Sequence, residues 1–124
     1  MKALSVDMEY IYDIMDDKKT EEYRSWKTNY HGDLMLCATA RSNATKKGIG
    51  ALVVEIVGYR ELPDGGYAWK LRNKRFIRPI EVHGRQRLFD VDDNLIVYDD
   101  HDPYDADYWD GVWDRYLDAH GVPA

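Results

Sequence analysis

The densest run of chemically capable side chains is Lys19-Thr20-Glu21-Glu22-Tyr23-Arg24-Ser25-Trp26. Lys19 and Arg24 are cations suited to a phosphate or a carbonyl oxygen, and a guanidinium can grip two oxygens at once. Glu22 offers an acceptor for the amino group of a base. Trp26 and the more distant Trp69 carry flat faces on which a base can stack, at roughly 1–3 kcal/mol per base. A plainer reading stands beside this one. Lys19, Glu22 and Arg24 could be a surface ion-pair cluster of little energetic weight, and the tryptophans could be core packing or a barrel-end cover.

Charge is distributed unevenly. The net charge is −6, yet residues 41–87 hold eleven Lys/Arg against four acids, while residues 94–124 hold eight Asp and one Arg. Lys46, Lys47, Lys70, Arg72, Lys74, Arg75, Arg78, Arg85 and Arg87 could contact phosphates, giving affinity that falls with salt. They could equally form a solvated face, or one paired with the chain's own acidic tail. The four histidines show no metal spacing, and the stretch from Asp99 to Asp102 lacks the calcium-loop pattern and its glycine. No metal or cofactor is expected. Cys37 is the only cysteine, so no disulfide forms within the chain, which fits a reducing compartment. Its apolar neighbours favour a small buried hydrophobe over a reactive thiol. The N-terminus has no signal-peptide pattern, and the apolar stretches, 34–38 and 51–54 among them, are too short to span a bilayer. The expectation is a soluble, cytoplasmic protein with no membrane contact.

These side chains need elements to position them. Apolar residues at helical spacing predict a short helix over 8–17 with Asp7 as N-cap. Strands are expected at 21–26, at 33–40 (central, because continuously apolar), at 51–60 and at 67–71, with a turn at 63–66. Residues 73–85 read as irregular and basic, broken by Pro79 and Gly84. Short strands at 88–91 and 95–98 flank a turn at 92–94. Asp102 followed by Pro103 reads as a helix start, and Trp109, Trp113 and Tyr116 build an apolar stripe before Gly121 and Pro123 stop it. This order predicts an α+β fold: a small mixed β-barrel with an N-terminal helix and an added acidic, amphipathic C-terminal helix. The expected division is a barrel domain over 1–98 and an acidic aromatic segment over 99–124. That segment would pack on the barrel, mediate weak dimerisation of an otherwise monomeric chain, or compete with phosphates for the basic face.

The run from Asp17 to Leu34 resembles the ASCH domain family of the PUA-like superfamily. The family pattern is a helix, then G-K-K-T-h-E-x-R-S/T-W with h apolar, then a polar stretch to R-G-x-L and an apolar strand. Here it reads Asp17-Lys18-Lys19-Thr20-Glu21-Glu22-Tyr23-Arg24-Ser25-Trp26, then Tyr30-His31-Gly32-Asp33-Leu34. Ala3-Leu4-Ser5-Val6, Gly50 to Glu55, Tyr67-Ala68-Trp69 and Gly84 to Phe89 also look like family blocks, so the likeness spans about residues 2–92. The resemblance implies a PUA-like barrel and an RNA- or nucleoside-binding pocket beside the lysine-bearing turn. The residues expected to bind are Arg24, Ser25, Trp26, Lys27, Tyr30, Trp69, Lys46, Lys47 and Arg85. Some relatives are amidohydrolases on N4-acylated cytidine, and another is a metal-independent ribonuclease. In the amidohydrolases a Lys activates a Thr three residues on, with a Glu elsewhere assisting. Those positions map to Lys19 and Glu22, so a carboxylate stands where the nucleophilic Thr would be. Glu22 could act as a general base toward water with Lys19 holding the anion, and Thr20 is a further catalytic candidate, not an obvious substitute for the nucleophile. Glu55 and Glu61 are candidates for the assisting Glu by residue type alone.

Overall fold

In the computed structural model of the chain, residues 1–38 and 48–120 are described. The elements run β1 (Lys2–Val6), α1 (Met8–Met15), β2 (Glu21–Arg24), β3 (Gly32–Ala38), β4 (Gly48–Glu61), β5 (Tyr67–Val82), β6 (Phe89–Asp90), a 3₁₀ turn (Asp93–Leu95) and α2 (Ala106–His120). One mixed six-stranded sheet has the order β2-β5-β4-β3-β1-β6. β1 and β3 are parallel, and the other pairs are antiparallel. The order is linear, with β2 and β6 at its two ends.

β3 is central because both its faces are covered. Leu34 and Leu36 enter one apolar cluster with Leu4, Ile11, Ile14, Leu52, Val54, Ile56 and Trp69. Met35 and Cys37, alternating with them, enter a second with Ala3, Val53, Ile77, Val82 and Phe89. A strand buried on both faces must be continuously apolar, as this one is. Burial also decides the chemistry of Cys37, whose thiol is pushed up to about 12. The native protein at pH 8 is therefore expected to leave an aromatic disulfide reagent uncleaved over an hour, and to react within seconds once unfolded. Rapid native labelling would show that this strand opens.

The long β4–β5 hairpin closes through the Pro63–Gly66 turn. There Gly66 N donates to Asp64 Oδ1 at 2.8 Å, and Gly65 takes a left-handed φ of 87°. The structure corrects the reading of residues 73–85 as irregular, because β5 runs unbroken to Val82. Pro79 is tolerated because the β4–β5 register shifts between Gly50 and Leu52, whose partners are Ile80 and Phe76. The missing N–H falls in that gap in the ladder. In the same interval the other edge of β5 is engaged by the C-terminal segment: Arg78 N donates to Val97 O, and Asp99 N to Phe76 O. Residues 95–98, expected as a strand, contribute only the isolated bridge Ile77–Tyr98.

The start of the C-terminal helix is also corrected. Asp102 caps a preceding turn by accepting from Tyr104 N, and Asp105 is the side chain that accepts from Tyr108 N at the start of α2. α2 buries Trp109, Val112 and Tyr116. Trp109 lies against Phe76 of β5 with ring centroids 5.2 Å apart. No helix among the described residues is long and apolar enough to cross a membrane.

Candidate functional site

Asp16 caps the C-terminus of α1, and Asp17 turns the chain with a left-handed φ of 61°. The amides of Lys18 and Lys19 both donate to Asp13 O, which sends the chain back along the sheet into β2. β2 pairs with the first half of β5, with Glu22 opposite Trp69 and Arg24 opposite Tyr67. Alternation along the strand turns Glu22 inward, half-buries Arg24 and leaves Tyr23 exposed between them.

Glu22 is the centre of a three-charge chain. Lys19 Nζ stands 3.8 Å from Glu22 Oε2, and Arg24 Nε 3.5 Å from Glu22 Oε1. Neither contact is a hydrogen bond, and Glu22 Oε2 and Arg24 Nε are both buried without one. Burial pushes the Glu22 carboxyl above its usual range, against the pull of Lys19 and Arg24. Lys19 is steadied from outside the pair, with its ammonium 4.4 Å from the Tyr10 ring centroid and 5.1 Å from that of Tyr23. Arg24 is anchored by its Nη2, which donates to Ser5 O at 2.8 Å.

A cavity lies at each end of this chain. One, of about 640 Å³, is lined by Tyr10, Lys18, Lys19, Thr20, Glu22 and Tyr23. The other, of about 590 Å³, is lined among the described residues by Ser5, Arg24, Trp26, Arg85, Gln86 and Arg87, together with Leu4, Ala38, Gly48 and Gly84. Gly84 permits the close approach there, since a Cβ at that position would stand 3.0 Å from Ser5 Oγ. Arg87 adopts a left-handed φ of 60° and places its guanidinium carbon 5.0 Å from the Trp26 ring centroid.

Several expected site residues fall elsewhere. Trp69 is fully buried, so it cannot stack on a base. It packs edge-on to Trp26 with centroids 4.7 Å apart, and its Nε1 donates to Trp26 O at 3.3 Å. It is the wall that positions Trp26. Tyr30 spends its hydroxyl on Asp33 O at 2.6 Å. Ser25 and Lys27 are exposed, and neither lines the second cavity. Thr20 is exposed on the rim of the first, with its backbone oxygen accepting from Leu71 N. Lys46 and Lys47 lie outside the described residues.

Much of the presumed phosphate-binding face is already paired. Arg72 meets Glu55 at 3.2 Å, Lys74 meets Asp17 at 2.8 Å, Arg75 meets Asp33 at 2.5 Å and Arg78 meets Asp99 at 3.3 Å. The members that the site-residue reading missed are Ser5, Gln86 and the Arg87 contact with Trp26. The signal for Gln86 and Arg87 was the run Gly84-Arg85-Gln86-Arg87, and for Ser5 the block Ala3-Leu4-Ser5-Val6. No cluster of three or more His, Cys, Asp or Glu among the described residues could hold a metal ion.

No curated protein matches the sequence. The ASCH domain family model matches residues 4–75, which include part of β1, all of α1 and β2, the charge chain and Trp26. That is more than half of the chain, and with the site geometry in place it settles the kinship: this chain belongs to the ASCH domain family.

Proposed function

We propose that this chain binds RNA or a nucleoside at the site formed by the Lys19–Glu22–Arg24 chain and the adjoining cavity. The observation that carries the reading is the lining of that cavity among the described residues: three arginines, a glutamine and the half-buried Trp26, with no carboxylate. Guanidiniums answer phosphates, an indole answers a base, and Gln86 offers both a donor and an acceptor. Membership of the family supports RNA binding or a related function. The three register shifts along β4–β5, which bend the hairpin, support the wrap of a PUA-like barrel. α2 is read as an addition that covers β5 with Trp109 and turns aspartates outward, in a chain acting as a monomer or weak dimer in the cytoplasm.

Titration of a short single-stranded RNA across salt concentrations tests this. Three arginine contacts predict a slope of about −2 in log K against log salt, at about 0.7 per displaced counterion. Replacing Arg85 and Arg87 with Gln is expected to bring the slope to about −0.7. Salt-independent binding, or a slope unmoved by the two substitutions, rejects this cavity as the site. The same samples, incubated with N4-acetylcytidine and followed by NMR, read out hydrolysis. Acetate that appears in the wild type and not in Lys19→Ala would replace binding with catalysis, Glu22 serving as the base.

A further inference from the structure

The arginines of this cavity differ from the others in the sheet. Every arginine of β4 and β5 is answered by a carboxylate: Arg60 by Glu21, Arg72 by Glu55, Arg75 by Asp33 and Arg78 by Asp99. Arg24 has Glu22. Arg85 and Arg87 face the cavity with no carboxylate partner among the described residues, and Arg87 rests instead on the Trp26 ring. In a chain of net charge −6, two uncompensated guanidiniums at one hollow mark a place where a counter-charge is missing.

The size and the charge of the hollow narrow what supplies that charge. About 590 Å³ falls within the range of small-molecule sites, roughly 300–1,000 Å³, a size that suits a single nucleotide unit. An internal phosphodiester carries one negative charge. A phosphate monoester carries about −1.5 to −2 at neutral pH and offers three acceptor oxygens. Two free guanidiniums match the monoester. The base has a place as well: the Trp26 face that the Arg87 guanidinium now covers becomes available when that guanidinium moves to a phosphate.

We propose that this cavity binds the terminal phosphate monoester of a nucleotide, with Arg85 and Arg87 holding the dianion and the base stacked on Trp26. The inference rests on the nucleotide-binding reading above and narrows it to a chain end or a free mononucleotide.

Calorimetric titration in a phosphate-free buffer tests it. The probes are the four nucleosides, their 5′- and 3′-monophosphates, a dinucleoside phosphodiester, and one octameric RNA with free or phosphorylated ends. At least one monophosphate series is expected to bind ten-fold or more tighter than its nucleoside and than the phosphodiester. In Arg85→Gln/Arg87→Gln that advantage is expected to fall below three-fold while nucleoside binding persists. Both arginines are exposed, so the variant keeps its fold. Preference for the phosphorylated octamer over the mononucleotide identifies an RNA end as the source, and the reverse identifies a free nucleotide. Equal affinity for nucleoside, diester and monoester overturns the proposal, as does an advantage that survives the double substitution. RNA that binds regardless of its ends leaves the broader reading standing and removes this one. Failure of every probe removes both.

Discussion

Trp69→Ala is expected to lower the free energy of unfolding by about 3–5 kcal/mol, the usual range for emptying a buried aromatic site. Trp69 is fully buried at the junction of β5 with β2, opposite Glu22 and edge-on to Trp26. The cavity left behind is bounded by sheet backbone that pairs on both sides, so it collapses poorly. In a chain of this length the loss corresponds to roughly 10 °C or more in Tm. Trp69→Phe retains most of the ring and loses the hydrogen bond to Trp26 O, so it is expected to cost about 1–2 kcal/mol. Thermal and urea melts followed by circular dichroism measure both. A Trp69→Ala protein within about 1 kcal/mol of wild type would contradict the packing described.

The second large effect concerns Arg24 and depends on pH. Arg24→Ala removes the hydrogen bond to Ser5 O and one of the two cations beside Glu22. Breaking a fully buried pair costs roughly 3–5 kcal/mol. The Arg24 side chain keeps 26% of its exposure, which brings the expectation to about 2–3 kcal/mol at pH 7. The Glu22 carboxyl already lies above its usual range through burial, and losing Arg24 raises it further. A carboxyl raised in the folded state binds more protons there than in the unfolded chain. Stability therefore falls as pH rises from the ordinary glutamate range through the folded value, and the full penalty applies above it. The deficit of Arg24→Ala relative to wild type is expected to shrink as pH is lowered to about 4, where unfolded glutamate is itself half protonated. Adding Glu22→Gln to Arg24→Ala is expected to restore much of the loss at pH 7 and little at pH 4. What remains is the Ser5 hydrogen bond, which has no pH dependence. A deficit that is constant from pH 4 to 8 and unmoved by Glu22→Gln would show that the two side chains are not coupled.

How far the sequence reveals this molecule depends on the range of each interaction. The charge chain was legible because Lys19, Glu22 and Arg24 lie within one turn and one short strand, where spacing alone makes them neighbours. β3 was legible because burial on both faces leaves an unbroken apolar run. Pro79 was misread because the register shift that accommodates it, and the Val97 and Asp99 contacts on the far edge of β5, involve residues distant in sequence. Trp69 and Trp26 look alike as aromatics flanked by lysines. Only the β2–β5 pairing determines which is the wall and which faces the cavity. The basic middle of the chain looked like one nucleic-acid face because its partners, among them Asp17, Asp33 and Asp99, lie far away in sequence. The Arg87–Trp26 stack spans a similar gap and left only a run of polar letters as its trace.

The length of β5 separates two boundaries that are easily equated. The match to the ASCH family model ends at residue 75, inside a strand that continues to Val82. A fragment trimmed to the shared stretch would leave Gly48 to Leu52 of β4 without their β5 partners. It would also lack Ala3, Ile77, Val82, Phe89 and Val91, five of the eight buried members of the cluster beneath β3. The matched stretch is thus shorter than the sheet, and residues beyond the match complete the sheet that carries the Lys19–Glu22–Arg24 chain.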